Sequence, residues 1–281
     1  MEINLSKEQF SIYQSQGYNR IPFVKTCYAD LETPLSIYLK VANSPYSYLL
    51  ESVEGGENFG RYSIIGMPAK KLIQVRQKTI EIIESGKTIF TESNSDPLGF
   101  IDQYLSNYKT PKDLDLPRFS GGLVGYFGYE TIHYIEPKLI KEFIKDDLDL
   151  PDIHLMESDE VIVFDNLTGK LSIVVYANDD LSSYDHAINR IMNIELMIES
   201  QLKNENAQSK KNADDAKADS EFGEKNFHQA VDKIKEYIVE GDVMQVVLSQ
   251  RMVKEFQLPA ISLYRVLRSI NPSPYMFFLS L

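Results

Sequence analysis

Apolar residues recur at helical spacing in one stretch of the chain and run together in the next, which predicts a helix followed by a strand. When residues 224–240 are wound as a helix, one apolar stripe runs along it. The stripe consists of Phe227, Val231, Ile234 and Ile238. Gly241 follows the stripe, and a glycine in this position is typical of a helix C-terminus. Residues 243–251 are largely β-branched and apolar, so we expect a strand buried on both faces.

The same two patterns predict elements in the rest of the chain. Apolar runs and alternation predict strands at 19–28, 47–52, 61–66, 71–76, 79–84, 119–129, 159–165, 170–177, 252–256 and within 271–281. Helical spacing predicts helices at 6–16, 30–42, 97–108, 185–202 and 259–269. Short turns join many of the strands, and such neighbours pair antiparallel. The sequence therefore predicts an α+β fold of largely antiparallel β-sheets with flanking helices.

A polar segment divides the chain. Residues 203–223 contain almost no large apolar side chain. Such a segment buries too little surface to offset the entropy lost when it is ordered. We therefore expect a mobile linker at 203–223, between a first region at 1–202 and a second domain that begins at 224 and runs to 281.

Composition narrows the class of protein. Hydrophobic residues make up 43% of the chain, which supports a sizeable core, while the formal net charge is −12. This acidic balance argues against partners such as nucleic acid or an anionic membrane surface, because both require a basic face. Cys27 is the only cysteine, so no intrachain disulfide is predicted. We see neither a signal peptide nor an apolar run of membrane-spanning length, and we expect a cytoplasmic protein.

Residue patterns alone mark few candidates for chemistry. The histidines, at positions 133, 154, 186 and 228, lie far apart, so no metal site is predicted from them. Neither of the glycine motifs that bind nucleotides occurs. Gln245 is out of place beside the apolar run at 243–251. Its amide is either a satisfied core or edge group or part of a functional site.

Four stretches together resemble anthranilate synthase component I. In chain order they are LLES at 49–52, GGLVGYFGY at 121–129, GDVMQVVLSQR at 241–251 and NPSPYMF at 271–277. The third resembles the start of the chorismate-utilising domain of that family. The tetrapeptide alone is a weak signal, but all four in the family's order are specific, and the resemblance covers nearly the whole chain.

The resemblance implies an enzyme of tryptophan biosynthesis that makes anthranilate from chorismate and ammonia. It also implies Mg²⁺ as a Lewis acid and a glutamine amidotransferase subunit, component II, as the source of ammonia. Gln245 would line the active site and Arg251 would contact the substrate. A glutamine amide is not a base at neutral pH, so the nucleophile must be able to attack without being deprotonated by the enzyme. Ammonia is such a nucleophile. The family's Mg²⁺ ligands would lie beyond residue 281, so we expect an incomplete second domain, no metal site and no activity of these residues alone.

A feedback site for tryptophan is implied as well. Its residues would be Leu50, Glu51, Ser52, Pro274, Tyr275 and Met276. A free amino acid requires an acceptor for its ammonium, donors for its carboxylate and an apolar slot for its ring. We expect Glu51 near the ammonium, the Ser52 hydroxyl as a polar contact, and residues 274–276 as the slot. Arg61 is expected to hold Glu51.

Two alternatives remain open. Aminodeoxychorismate synthase component I is a similar family that aminates chorismate at a different ring carbon, and its distinguishing lysine would lie beyond residue 281. The other alternative is a non-catalytic module that binds tryptophan or docks a subunit. Tryptophan binding without turnover of chorismate would identify that module.

Overall fold

Antiparallel β-sheets with helices against them form most of the structure. The computed structural model describes residues 3–52, 60–139, 148–178, 180–202 and 218–281. The helices are α1 (Lys7–Ser15), α2 (Pro34–Val41), α3 (Pro97–Ser106), α4 (Ile132–Ile135), α5 (Leu181–Glu199), α6 (Glu224–Glu240) and α7 (Ala260–Ile270). The strands are β1 (Ile21–Tyr28), β2 (Ser47–Glu51), β3 (Tyr62–Gly66), β4 (Lys71–Arg76), β5 (Thr79–Glu84), β6 (Lys87–Ser93), β7 (Gly122–Phe127), β8 (Ile153–Ser158), β9 (Glu160–Asp165), β10 (Lys170–Ala177), β11 (Asp219–Ser220), β12 (Met252–Val253) and β13 (Met276–Ser280).

Two larger sheets contain nearly all of these strands. The first has six strands in the order β1-β10-β9-β3-β2-β13, and the second has five in the order β6-β5-β4-β8-β7. Every pair of neighbours is antiparallel. The predicted α+β class is therefore confirmed, and the hairpin of β4 and β5 has the predicted bounds.

Local side chains determine where the helices begin and end. Ser6 and Gln9 form a capping box at α1, and Thr33 and Ser36 form the corresponding pair at α2. The predicted end of α6 is confirmed at Gly241, whose φ of 82° lies in the left-handed region that favours glycine. None of the helices in the described ranges has the length and apolar character needed to cross a membrane.

The two larger sheets pack on each other through buried side chains from both. Tyr48 of β2 clusters with Leu72 of β4 and Met156 of β8. Its hydroxyl is 2.6 Å from the Ser158 hydroxyl, so the phenol is satisfied inside the core. On the other face of the second sheet, Ile101 of α3 joins the buried residues of β4, β5 and β8. The position of β2 is thus fixed from within the core.

Arg20 joins the sheets where the chain passes from β8 to β9. Its guanidinium lies over the rings of Tyr108 and Tyr176, at 4.7 and 4.4 Å from their centroids. Nη2 donates to the Ser158 carbonyl at 2.9 Å and lies 2.8 Å from the Asp159 carboxylate. Only 8% of the Arg20 side chain is exposed, so the fold itself balances this charge.

A second buried charge lies beside this junction. Glu157 of β8 accepts hydrogen bonds from the hydroxyls of Tyr104 and Tyr108, and Lys71 Nζ is 3.6 Å from its carboxylate. Burial and the bond to Glu157 raise the pKa of both tyrosines far above the ordinary value. The phenols therefore remain donors at physiological pH. A cavity of about 270 Å³ adjoins these groups, and its buried charges face partners of opposite sign.

His154 of β8 gives the fold a dependence on pH. Its ring lies between those of Tyr46 and Tyr126, and Nδ1 is 3.2 Å from the Gln74 amide. Burial, with a smaller effect of the Arg76 cation, lowers the pKa of His154 below its ordinary value of 6.5. Because the folded pKa is lower than the unfolded one, the unfolded chain takes up the proton more readily. The stability from neutral His154 is complete above about pH 6.5 and is lost as the pH falls below it.

We expect His154→Phe to flatten the acid side of the stability profile. The variant keeps an aromatic ring between the two tyrosines but cannot bind a proton. Urea denaturation from about pH 7.5 to about pH 5 should show a smaller fall in the free energy of unfolding than in the unmutated protein. His186→Phe, at an exposed position of α5, is the control. Equal declines in His154→Phe and the unmutated protein would contradict this role.

The predicted strand at 243–251 is wrong. These residues form irregular structure between α6 and β12, where Met244 is fully exposed and Val247 is 83% exposed. A strand requires a neighbour for its backbone hydrogen bonds, and no strand in the described part of the chain pairs with them. An apolar run indicates burial but supplies no partner. Conversely, β8 was not predicted, because His154 and Glu157 interrupt its apolar pattern.

The chain divides into two compact units. One comprises Met1–Lys203 with Val266–Leu281, and the other comprises Asn204–Arg265. The last strand groups with the first unit because β13 pairs with β2. The sequence-based division at 202 and 224 stays a prediction. Most of the predicted linker, at 203–217, lies outside the described residues, and β11 at its end pairs with β12.

Candidate functional site

The two stretches predicted to bind tryptophan lie side by side at one edge of the first sheet. Strand β2 pairs with β13, so that Glu51 lies opposite Met276 and Leu50 lies opposite Phe277. Since β13 is the last strand of the sheet, its outer edge pairs with no strand among the described residues. The antiparallel ladder thus joins segments from opposite ends of the sequence into one candidate site.

A side-chain hydrogen bond continues this pairing past the end of β2. The Ser52 hydroxyl donates to the Pro274 carbonyl at 2.7 Å. Ser52 directly follows β2, and Pro274 lies two positions before β13, so both residues lie just outside the regular ladder. The bond fixes the hydroxyl oxygen beside the Pro274 backbone and leaves its lone pairs as acceptors.

Glu51 is buried at the same place and faces a cation from another element. Arg268, in the last turn of α7, has Nη2 at 3.1 Å from Glu51 Oε1. The exposed fraction is 2% for the Glu51 side chain and 33% for Arg268. The expectation that the Glu51 carboxylate lies beside a ligand ammonium stays a prediction. In the structure this carboxylate faces Arg268, and a ligand has little direct access to it.

Arg61 does not hold Glu51, contrary to the expectation from the sequence. Its Nε donates to both carboxylate oxygens of Asp165, and its Nη2 donates to Oδ2 at 2.9 Å. The reason is the strand order, because β3 lies between β2 and β9 and Tyr62 pairs with Asp165. Burial acts to raise the pKa of Asp165, but hydrogen bonds from Arg61 and the following turn lower it overall.

Apolar side chains lie next to the polar groups of the candidate site along both segments. Tyr275 is 72% exposed, Pro274 is exposed, and Leu50 and Met276 are half-buried. Pro274 and Tyr275 provide exposed apolar surface next to the Pro274 carbonyl and the Ser52 hydroxyl bonded to it. A small molecule that combines an aromatic ring with polar groups would find both kinds of contact here.

The two residues predicted for the active-site wall lie in the other compact unit. Gln245 is exposed in the irregular segment after α6. Arg251 follows that segment, and its Nη1 is 3.3 Å from the Glu221 carboxylate. Among the residues that the structure describes, no group of three or more His, Cys, Asp or Glu side chains is placed to hold a metal ion. These residues therefore do not fit Mg²⁺.

Arg268 is the residue of this site that sequence reasoning missed. Its only signal in the sequence is a cation in the last turn of an amphipathic helix, just before the NPSPYMF stretch. A cation there is ordinarily explained by the partial negative charge at a helix C-terminus. The contact with Glu51 depends on how the helix lies over β2, which the pattern does not reveal.

Comparisons with known proteins show which family model and which relatives the chain matches. The family model described as chorismate binding enzyme matches residues 45–281. Anthranilate synthase component 1 of Neisseria meningitidis serogroup B is 47% identical over 278 residues, covering 98% of this chain and 56% of the relative. The proteins of the same name from Pseudomonas aeruginosa and Aquifex aeolicus are 43% and 40% identical, again over 56% of their lengths. The chain thus spans about half the length of these relatives.

A solved structure supports the fold. The crystal structure of anthranilate synthase component I from Streptococcus pneumoniae matches with a TM-score of 0.61 at 23% identity. The match covers 88% of this chain and 52% of that chain. At this identity the likeness concerns the arrangement of strands and helices alone.

Proposed function

Because the chain belongs to the family of chorismate binding enzymes, we propose that it acts as the large subunit of anthranilate synthase, which makes anthranilate from chorismate and ammonia. Relatives that carry this name share 40% to 47% identity with nearly the whole chain, which is the main support. Their designation as component 1 supports a second component, a glutamine amidotransferase subunit that supplies the ammonia. The pathway served would be tryptophan biosynthesis.

The chemistry of two residues agrees with this reaction. The Gln245 amide neither gains nor loses a proton at neutral pH. It therefore suits a nucleophile that needs no general base, such as ammonia. The Arg251 guanidinium carries a permanent charge in a planar fork, which suits recognition of a chorismate carboxylate. In the proposed enzyme Mg²⁺ supplies Lewis-acid chemistry. The described residues offer no group to hold the ion, and no step is assigned to it.

We further propose that tryptophan regulates this enzyme by binding at the β2–β13 site. The observation that carries the proposal is the pairing of Leu50 and Glu51 with Phe277 and Met276, which the hydrogen bond from Ser52 to Pro274 extends. The indole would lie against Tyr275 and Met276. The ammonium and carboxylate of tryptophan would contact the Ser52 hydroxyl and the neighbouring backbone. Because the site combines two segments that are distant in sequence, tryptophan would bind only the folded protein.

An activity assay tests the proposed reaction. A protein that contains this chain and has the full length of its relatives is incubated with chorismate, Mg²⁺ and ammonium, because these residues alone are expected to be inactive. Anthranilate is followed by its fluorescence, with and without tryptophan. Anthranilate formation that tryptophan inhibits is the expected result. Formation of aminodeoxychorismate instead would support the related synthase. Tryptophan binding without any turnover of chorismate would identify a binding module.

Met276→Ala tests the apolar part of the proposed tryptophan site. The substitution removes apolar contact without blocking entry, so we expect about fivefold weaker tryptophan binding, corresponding to about 1 kcal/mol. Isothermal titration measures the change. Met192→Ala, at a partly exposed position of α5, is the matched control and should bind tryptophan normally. Equal affinities in both variants would remove Met276 from the site.

A further inference from the structure

We infer that Arg268 is a positioning and specificity-determining residue of the β2–β13 site, an inference that rests on the tryptophan site proposed above. Arg268 would hold the Glu51 carboxylate and so fix the end of β2 against the segment at 274–276. It would also balance the Glu51 charge, so that the site prefers a ligand with both an ammonium and a carboxylate over one with an ammonium alone.

Burial gives this ion pair its importance. The Glu51 side chain is 2% exposed, whereas most pairs of this kind lie at the surface and contribute little. Keeping a carboxylate charged that far from water costs free energy, and a cation within hydrogen-bond distance offsets part of that cost. Arg268 supplies such a cation, with Nη2 at 3.1 Å from Oε1. Removing Arg268 would therefore disturb Glu51 much more than removing an exposed arginine would.

The position of the pair along the chain connects it to the ligand site. Glu51 directly precedes Ser52, and Arg268 lies in the last turn of α7, shortly before Pro274 in the sequence. The pair and the bond between the Ser52 hydroxyl and the Pro274 carbonyl are thus two cross-links between the same two segments. If the first were lost, the second would be held only by the ladder between β2 and β13. We therefore expect Arg268 to determine how closely Ser52 and Pro274 approach.

The charges explain the expected selectivity. With Arg268 present, Glu51 adds little net negative charge to the site, and a zwitterionic amino acid is accepted. Without Arg268, the same carboxylate would repel a ligand carboxylate and attract an ammonium through a medium of low dielectric constant. Tryptamine has the ring and the ammonium of tryptophan but lacks its carboxylate. The ratio of the two affinities therefore reports on Arg268.

The test measures binding of tryptophan and of tryptamine to the intact protein by isothermal titration at about pH 8, where carboxylates are ionised. We expect Arg268→Met to lower the ratio of tryptophan to tryptamine affinity by about tenfold. Arg268→Lys should restore most of the ratio, because it returns the charge. Arg265→Met, at an exposed position on the same helix, should leave the ratio unchanged.

The measurements distinguish failure of the Arg268 inference from failure of the proposed tryptophan site. If Arg268→Met keeps the ratio within twofold of the unmutated protein, or if Arg265→Met changes it equally, the inference is wrong while the tryptophan site stands. If the unmutated protein binds no tryptophan, the proposed site and the inference both fall. Should Arg268→Met not fold, the double variant with Glu51→Gln removes both charges at a smaller cost. That variant should bind tryptophan with the unmutated ratio, and a lowered ratio would overturn the charge argument.

Discussion

Replacing Ser52 with phenylalanine is expected to abolish the rise in melting temperature that tryptophan gives the unmutated protein. The new ring would occupy the space beside Pro274, where the Ser52 hydroxyl now donates its hydrogen bond. A ligand at 100 times its Kd adds about 2.7 kcal/mol to the free energy of unfolding, and this is the amount that the variant should lose. Thermal unfolding of the intact protein with and without tryptophan measures it.

The control for this variant is the same substitution in the other sheet. Ser93, the last residue of β6, is exposed, so Ser93→Phe adds an equal ring away from the site. It should keep the full shift. Ser52→Ala should keep part of it, because the variant loses one hydrogen bond but leaves the entrance open. A full tryptophan shift in Ser52→Phe would show that the ligand binds elsewhere.

Arg20→Met is expected to destabilise the first compact unit by about 3 kcal/mol. This is the lower end of the cost of breaking a buried ion pair, because Arg20 is 8% exposed but Asp159 is 50% exposed. The substitution removes the cation between Tyr108 and Tyr176 and the bond to the Ser158 carbonyl. It also leaves Asp159 without the guanidinium that now lies 2.8 Å away. Denaturation by urea at neutral pH measures the loss.

Two variants test whether burial of Arg20 causes the large loss of stability in Arg20→Met. Arg76→Met removes a pair with Asp149 whose side chains are 44% and 92% exposed, and it should cost less than about 1 kcal/mol. Arg20→Lys keeps the charge but not the planar group between two rings, so an intermediate loss is expected. If Arg20→Met and Arg76→Met lose equal stability, Arg20 does not link the sheets as the structure indicates.

Much of the fold was predictable, because it depends on local patterns. Helices α1, α2, α3 and α5 have caps or apolar stripes that lie within a few residues of each other. The hairpin of β4 and β5 alternates strongly around a short turn. In contrast, β8 is buried along its whole length, yet it carries His154 and Glu157. Those residues are tolerated because partners from other elements satisfy them, which no local pattern expresses.

In the candidate site, too, the segments were predictable from the sequence but the contacts between charged side chains were not. The motif stretches at 49–52 and 271–277 are visible in the sequence, and their pairing was expected from the resemblance. Which charged groups meet there was not, since Arg61 was expected beside Glu51 and the structure places Arg268 there. Strand order sends Arg61 toward Asp165 on β9. Nearness along the chain therefore did not decide which cation meets Glu51.

By itself the sequence determined the periodicity of the elements, the α+β class and the family, because these follow from residue types and spacings within short windows. The tertiary structure alone decided which elements become neighbours. It left residues 243–251 without a strand partner, and it placed β13 beside β2, across most of the chain length. It also buried Glu51 against Arg268. Such contacts depend on long-range closure of the chain, where many pairings satisfy the same local pattern and only the complete packing selects one.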